Sequence, residues 1–200
     1  MFRTHTCGEL TSAHADNVVT LSGWVHKHRN FGGLVFLDLR DRYGLTQIVC
    51  NPDNISDFSI VESLKYEHII KVVGKVGQRD EKTINTELAT GSIEVHATEI
   101  SILSNTKPLP FEIFDAKKGE EDEELRLKYR FLELRRQKLR DTILFRAKVE
   151  AHIRQFMNTN DFIDIATPIL TVSSPEGARD YLVPSRIHPG KFYALPQAPQ

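Results

Sequence analysis

For its first half the chain alternates short apolar runs with turns; after that its period lengthens. Residues 18–25 are apolar-rich with Gly23 inside the run, and a glycine within a strand marks a bulge or a sharp bend. Residues 34–40 alternate, with Val35, Leu37 and Leu39 facing one way and Phe36, Asp38 and Arg40 the other. A turn over 41–44 leads to a strand over 45–50, and a second turn over 51–54 to residues 56–66. There Phe58, Ile60, Val61 and Leu64 predict a short helix. Further strands are predicted over 69–76, with Gly74 inside, and over 92–103, after a polar loop containing residues 79–82. Five strands with a helix between the third and fourth describe an OB-fold barrel. Another small barrel or a sandwich has a similar strand count, but bends at Gly23 and Gly74 favour the small, strongly coiled barrel.

Beyond residue 105 the pattern changes. Residues 107–111 are broken by two prolines, which signals a boundary. An acidic cluster over 119–124 reads as a solvated helix start, where negative charge suits the helix dipole. Residues 125–136 interleave basic and apolar side chains. Leu127, Phe131 and Leu134 fall at helical spacing, so this segment is expected to pack onto neighbours through them, with a basic face that a phosphate backbone would also suit. Residues 139–158 read as an amphipathic helix carrying Phe145, Val149, Ile153 and Phe156 at spacings of three and four. A strand is expected over 162–170, where Pro168 belongs at an edge, a bulge or an interface because it donates nothing to a ladder. The apolar run then breaks at a loop holding Pro175, Glu176, Gly177, Arg179 and Asp180, and a second run covers 181–183. Composition makes this a hairpin with a polar tip, a form suited to the rim of a small-molecule site.

Charge and cysteine content narrow the chemistry. The net charge is −1. Residues 1–105 hold ten Lys/Arg against thirteen Asp/Glu, and residues 106–200 hold sixteen against fourteen. A protein binding nucleic acid mainly by phosphate neutralisation is more basic, so any such binding here rests on local patches, stacking and base edges. Cys7 and Cys50 have no CxxC or metal-ligand spacing and are expected to be reduced thiols of a cytoplasmic protein, Cys7 among polar residues. No run reaches the roughly 20 apolar residues of a membrane span, and the N-terminus has no apolar signal-peptide core.

Candidate chemistry in the first half centres on Phe36. It lies on the polar side of its strand, and an aromatic there is either a scattered surface hydrophobe or a stacking platform. Arg29 and Gln47 fall on or beside the neighbouring predicted strands, in the sheet an OB barrel uses for binding, and the trio raises the functional reading. Gln47 suits a base edge; Arg29 suits phosphate or base. His26 and His28 lack a third partner at ligand spacing and read as surface polar residues.

A helix leading into a Pro-bearing strand is the form of motif 1 in class II aminoacyl-tRNA synthetases. Longer strings make the likeness particular: Gly23-Trp-Val-His, Phe36-Leu-Asp-Leu-Arg-Asp-Arg42, Ala89-Thr-Gly-Ser-Ile-Glu-Val95, the run over 126–136, Thr167-Pro168, Pro175-Glu-Gly-Ala-Arg-Asp-Tyr-Leu-Val-Pro-Ser-Arg186, and Phe192-Tyr-Ala-Leu-Pro-Gln-Ala-Pro-Gln200. On these the chain resembles, from end to end, the N-terminal part of the bacterial-type aspartyl-tRNA synthetases. The earlier strings are shared with asparaginyl and lysyl relatives; the string over 175–186 is more particular to the bacterial aspartyl enzymes.

The resemblance implies an α+β chain in three parts. Residues 1–105 would be a five-stranded OB-fold anticodon-binding domain, 106–139 a connector, and 140–200 the start of a class II antiparallel-sheet catalytic domain. It implies that Phe36 stacks on an anticodon base, that Gln47 reads one, and that Arg29, Asn30, Phe31 and Glu94 share that surface. The segment around Pro168 would form a homodimer interface. Residues 175–180 would be a mobile, exposed loop that closes over L-aspartate, with Glu176 and Gln200 gripping the substrate. ATP and Mg²⁺ would be bound mainly by residues beyond 200, where the family's arginine-bearing motifs also lie. No catalytic residue is therefore expected in this stretch, which alone should not form adenylate. Two departures stand out. Ala198 replaces a serine common in the family, removing a hydroxyl from the substrate site. Family members that charge both tRNA(Asp) and tRNA(Asn) often carry His at the position of Phe31 and Gly at that of Lys82; neither is present, which leans the reading towards tRNA(Asp) alone. The rival readings are a non-discriminating aspartate–tRNA(Asp/Asn) ligase, a non-catalytic OB-fold RNA-binding module, and an asparaginyl- or lysyl-type ligase.

Overall fold

The structure, a computed structural model, describes residues 1–114, 121–173 and 179–195. The chain forms two compact units, Met1–Pro110 and Phe111–Gln200.

In the first unit, strands β1 (Val18–Phe31), β2 (Leu34–Arg40), β3 (Leu45–Cys50), β4 (Ile69–Gln78) and β5 (Ile93–Ser104) close into a barrel in the order β1-β2-β3-β5-β4. All pairings are antiparallel except β3 with β5, which run parallel through Ile48–Val95 and Val49–His96. The barrel predicted from the alternation is present. Its interior is filled by one face of each strand, including Leu21, Val25, Leu37, Leu39, Ile48, Val72 and Val95. The helix between β3 and β4, α1 (Ser59–Ser63), is shorter than expected because Leu64 turns to extended backbone (φ −64°, ψ 135°). Val61 and Leu64 still point into the core.

The glycines divide in their roles. The predicted irregularity at Gly74 is present, as a register shift between Val73 and Gly74. At Gly23 the β1–β4 register runs on unbroken. Glycine is needed there because a Cβ would collide with the Arg40 carbonyl oxygen of β2. The bulge of β1 lies further on, between Val25 and Lys27.

Cys7, expected among polar surroundings, is instead fully buried in the core, as is Cys50, and both are free thiols. Burial pushes the Cys50 thiol up to about 12. Burial also raises the Cys7 thiol, with the Asp41 carboxylate adding to the effect. The Asp41 carboxylate accepts hydrogen bonds from the Cys7, Tyr43 and Gly44 backbone N–H groups at 2.9, 2.7 and 3.0 Å. It thereby ties the N-terminal segment to the β2–β3 turn.

The second unit contains α2 (Glu123–Lys128), α3 (Arg130–Glu133), α4 (Gln137–Thr159) and a two-stranded sheet of β6 (Tyr181–Pro184) with β7 (Phe192–Leu195). The Asp122 side chain caps α2, accepting from Glu124 N–H, and Glu123 and Glu124 occupy its first turn, as the acidic cluster suggested. The expected packing through Leu127, Phe131 and Leu134 is not found; all three are exposed. Tyr129 (φ −110°, ψ 44°) breaks the run into two helices, so the three do not share one face. Leu132 and Glu133 are buried instead.

Helix α4 matches its prediction in extent, and its apolar stripe is exposed. The strand expected over 162–170 is absent: residues 162–170 pair with no strand, and a single bridge, Thr171 with Ala194, follows. Strand β6 is already taken by β7, so 165–172 and 181–183 do not form the expected hairpin. Glu176, Ala198, Gln200 and the centre of the expected loop lie outside the described residues. Among the described residues no helix is long and apolar enough to cross a membrane.

Candidate nucleic-acid interface

The bulge in β1 creates the candidate site. Up to Val25 the odd-numbered residues of β1 fill the barrel: Val19, Leu21 and Val25 are buried. One inserted residue reverses the alternation. Without it Arg29 and Phe31 would point into the core; with it they lie outside and His28 turns inward, its Nε2 3.2 Å from the Val61 carbonyl oxygen. A two-residue loop, Gly32 and Gly33 at φ 66° and 108°, returns the chain to β2. The Asn30 side-chain oxygen accepts from Gly33 N–H at 3.0 Å, so it braces this loop.

The register then sets Arg29 opposite Phe36, and Asp38 opposite Gln47. Phe31, 66% exposed, meets Phe36 edge to face with ring centroids 5.8 Å apart. Beside this aromatic pair runs a chain of polar contacts across four strands. Arg29 Nη2 donates to Asp38 Oδ1 at 2.7 Å and to Gln47 Oε1 at 3.4 Å. Gln47 Nε2 donates to Glu94 Oε2 at 3.0 Å. Glu94 is flanked by Arg79 Nε at 3.6 Å and His96 Nε2 at 3.4 Å. Arg79 is almost wholly covered, and its Nη1 donates to the Thr83 carbonyl oxygen at 3.4 Å. That carbonyl belongs to the turn Glu81–Thr83, where Lys82 is exposed.

The structure thus gathers Arg29, Phe31, Phe36, Gln47 and Glu94 on one outer face, with Asn30 at its rim. Sequence reasoning did not assign a part to three members of the network, Asp38, Arg79 and His96. Two were within reach of it. Asp38 follows Phe36 by two on a clean alternation, and His96 follows Glu94 by two. Arg79 follows β4 and belongs with the face only through the fold.

Chemically the face offers rings for stacking beside fixed donors and acceptors, and its charges are largely balanced within it. That suits unpaired bases read at their edges better than a duplex held by massed positive charge. Pro168 is exposed and belongs to no strand. Among the described residues no group of three His, Cys, Asp or Glu side chains is arranged to hold a metal ion.

Residues 19–103 match the family model described as OB-fold nucleic acid binding domain, and residues 122–200 match that of class II tRNA synthetases (D, K and N). The chain is 53% identical along its whole length to the aspartate–tRNA(Asp/Asn) ligase of Parvibaculum lavamentivorans, and 55% identical to the one of that name from Chelativorans sp.. It spans about a third of the length of these curated relatives, 32% and 33%. The solved asparaginyl-tRNA synthetase of Pyrococcus horikoshii superposes on the whole chain with a TM-score of 0.83 at 22% identity, over 44% of its own length, a likeness of fold.

Proposed function

Since the chain belongs, along its whole length, with the N-terminal part of the bacterial-type aspartyl-tRNA synthetases, we propose that it supplies the anticodon-reading domain and the start of the catalytic domain of a cytoplasmic aspartate–tRNA ligase. The observation that carries this reading is the outer barrel face, where the Phe31–Phe36 pair adjoins the Arg29–Gln47–Glu94 network. Phe36 stacks on an anticodon base, Gln47 and Glu94 read base edges, and Arg29 adds a cation beside them. Asn30 shapes the loop that presents Phe31.

The activity of the whole protein joins L-aspartate to tRNA in two steps. An aspartate carboxylate oxygen attacks the α-phosphorus of ATP and pyrophosphate leaves. A terminal hydroxyl of the tRNA then attacks the adenylate carbonyl carbon and AMP leaves. Within this chain Glu176 pairs with the substrate ammonium through a charge-assisted bond and Gln200 assists it. With Ala198 in place of serine, that grip relies more on these two. The residues that would hold ATP and Mg²⁺ lie mainly beyond residue 200, where the metal would offset the charge developing on the phosphates. The exposed apolar stripe of α4 and the segment around Pro168 support a homodimer surface in this part of the chain.

A second reading concerns the choice of tRNA. Phe31 and Lys82 lean towards tRNA(Asp) alone. The relatives at 53% and 55% identity carry the two-tRNA name, which favours charging of tRNA(Asn) as well. The test is aminoacylation by a protein extended to the relatives' length, with the two tRNAs in parallel. Charging of tRNA(Asp) is expected, and failure to charge either would overturn the reading. The 200-residue chain alone is expected to show no aspartate-dependent ATP–pyrophosphate exchange.

A further inference from the structure

We propose that Asp38 is a positioning residue of the RNA-reading face, holding Arg29 so that the Gln47 side chain presents its amide in one orientation only. The inference rests on the reading that this face takes RNA.

Asp38 lies on the outer side of β2 but is only 8% exposed. It has too little free surface to meet a base itself. Its Oδ1 lies 2.7 Å from Arg29 Nη2, and that same nitrogen lies 3.4 Å from Gln47 Oε1. The other end of the Gln47 amide meets Glu94 Oε2 at 3.0 Å. A carboxamide is nearly symmetric in shape but has an acceptor at one end and donors at the other. If it flips, the pattern read by a base edge inverts. Here the two flanks decide. A guanidinium only donates and an ionised carboxylate only accepts, so a single orientation satisfies both. The free lone pair of Gln47 is then offered on the Arg29 side and its second N–H on the Glu94 side.

The weak point of this chain is Arg29. Its side chain is 44% exposed on a flexible stem, whereas Glu94 is flanked by Arg79 and His96. The Asp38 contact is the charge-assisted bond that keeps the Arg29 guanidinium over the sheet. Without it Arg29 is free to follow phosphate, and the acceptor end of Gln47 loses its fixed neighbour. Asp38 therefore governs selectivity between bases more than overall affinity.

The test uses the 200-residue chain and fluorescence anisotropy with two RNA stem-loops, one bearing an aspartate anticodon and one with a single anticodon base replaced. Asp38→Asn should weaken binding of the first loop about tenfold, the scale of a lost hydrogen bond to a charged group. Binding of the second should weaken less, so that the preference narrows. Arg29→Gln should narrow it similarly, and the double variant should bind as Arg29→Gln alone does. Additive losses in the double variant, or equal weakening towards both loops, would overturn the proposal. Should the Asn variant fail to fold, Arg29→Lys keeps the positive charge but not the planar fork; an undiminished preference in that variant also overturns it. An unaltered chain with no preference between the loops defeats the reading of the face itself, and the positioning role with it.

Discussion

The two units solve the problem of apolar surface in opposite ways. In the barrel most apolar side chains of the strands face inward, Phe31 and Phe36 being among the exceptions, and the hydrophobic core of the described residues lies between Cys7 and Ile100. In the second unit the longest helix has no buried residue. Phe145, Ile153 and Phe156 on α4 are 68%, 56% and 60% exposed, and Ile163, Ile165 and Ile169 beyond it are exposed too. Both sequences have a strong period, 2 in one and 3.6 in the other. The difference is closure: a barrel supplies its own partner for every strand, whereas a single amphipathic helix needs a surface from elsewhere. Periodicity therefore predicts which face is apolar without saying what covers it.

The largest effect that sharpens this contrast is expected inside the barrel. Leu37 is fully buried in β2, and Leu37→Ala should cost about 2–5 kcal/mol. The single tryptophan, Trp24 of β1, lies in this unit, so urea unfolding followed by its fluorescence measures the loss. A cost below about 1 kcal/mol would mean the core is loosely packed and the contrast overstated. The two thiols give an independent check. They should stay silent to a thiol reagent at pH 8 until urea opens the barrel. Cys50 also sets a pH dependence. Its folded-state value of about 12 lies above the ordinary 9.0, so the folded chain keeps a proton that the unfolded chain releases. Stability present below pH 9 should fall as the pH rises from 9 towards 12. Urea midpoints unchanged across that range would show that Cys50 is solvated.

How much of this could be read from the sequence follows from the same contrast. The barrel was legible because Val35, Leu37 and Leu39 alternate cleanly, and each closed strand turns alternation directly into burial. The bulge between Val25 and Lys27 was not, because nothing in Trp24-Val-His-Lys shows which residue is the extra one. Its consequence, that Arg29 and Phe31 share a face with Phe36, needed the register. Asp38 was seen as a polar position, but its bond to Arg29 joins residues nine apart across a hairpin. In the second unit, helix α4 was legible and its surroundings were not. The strand expected over 162–170 failed because a strand exists only with a partner, and the apolar run does not name one. The break at Tyr129 likewise turned a helical spacing of Leu127, Phe131 and Leu134 into three exposed side chains.

An intermediate effect is expected where the second unit does bury something. Glu133 is buried on α3, and its two carboxylate oxygens meet Arg126 Nη1 at 3.0 Å and Arg130 Nη1 at 2.5 Å. Glu133→Gln keeps the shape and removes the charge. It should cost about 1–3 kcal/mol in local stability, since it leaves a donor-rich arginine pair with one neutral acceptor. Amide hydrogen exchange over α2 and α3 measures that loss. Exchange over α2 and α3 no faster than in the unaltered chain would mean that this buried carboxylate holds nothing in the second unit, which would sharpen the contrast.

The smallest effect on folding is expected on α4. Ile153→Ala removes a large apolar side chain, but one that is 56% exposed on a helix with no buried residue. No cavity opens, and alanine is the better helix former. The change in stability should stay within about 0.5 kcal/mol in either direction, by the loss of helical circular dichroism in urea. A cost near that of Leu37→Ala would mean the stripe is packed within the chain after all, and the contrast between the units would disappear. If the stripe is the surface of a second copy, the same substitution should act elsewhere, as weaker self-association in sedimentation equilibrium. Fully burying an isoleucine stabilises by about 1.5–3 kcal/mol, and a part-covered one by less. Joining Ile153→Ala with Phe145→Ala and Phe156→Ala would then lower association step by step while leaving the monomer's unfolding unchanged. That separation belongs to a surface built for a partner, since a residue serving its own fold would move both measurements together.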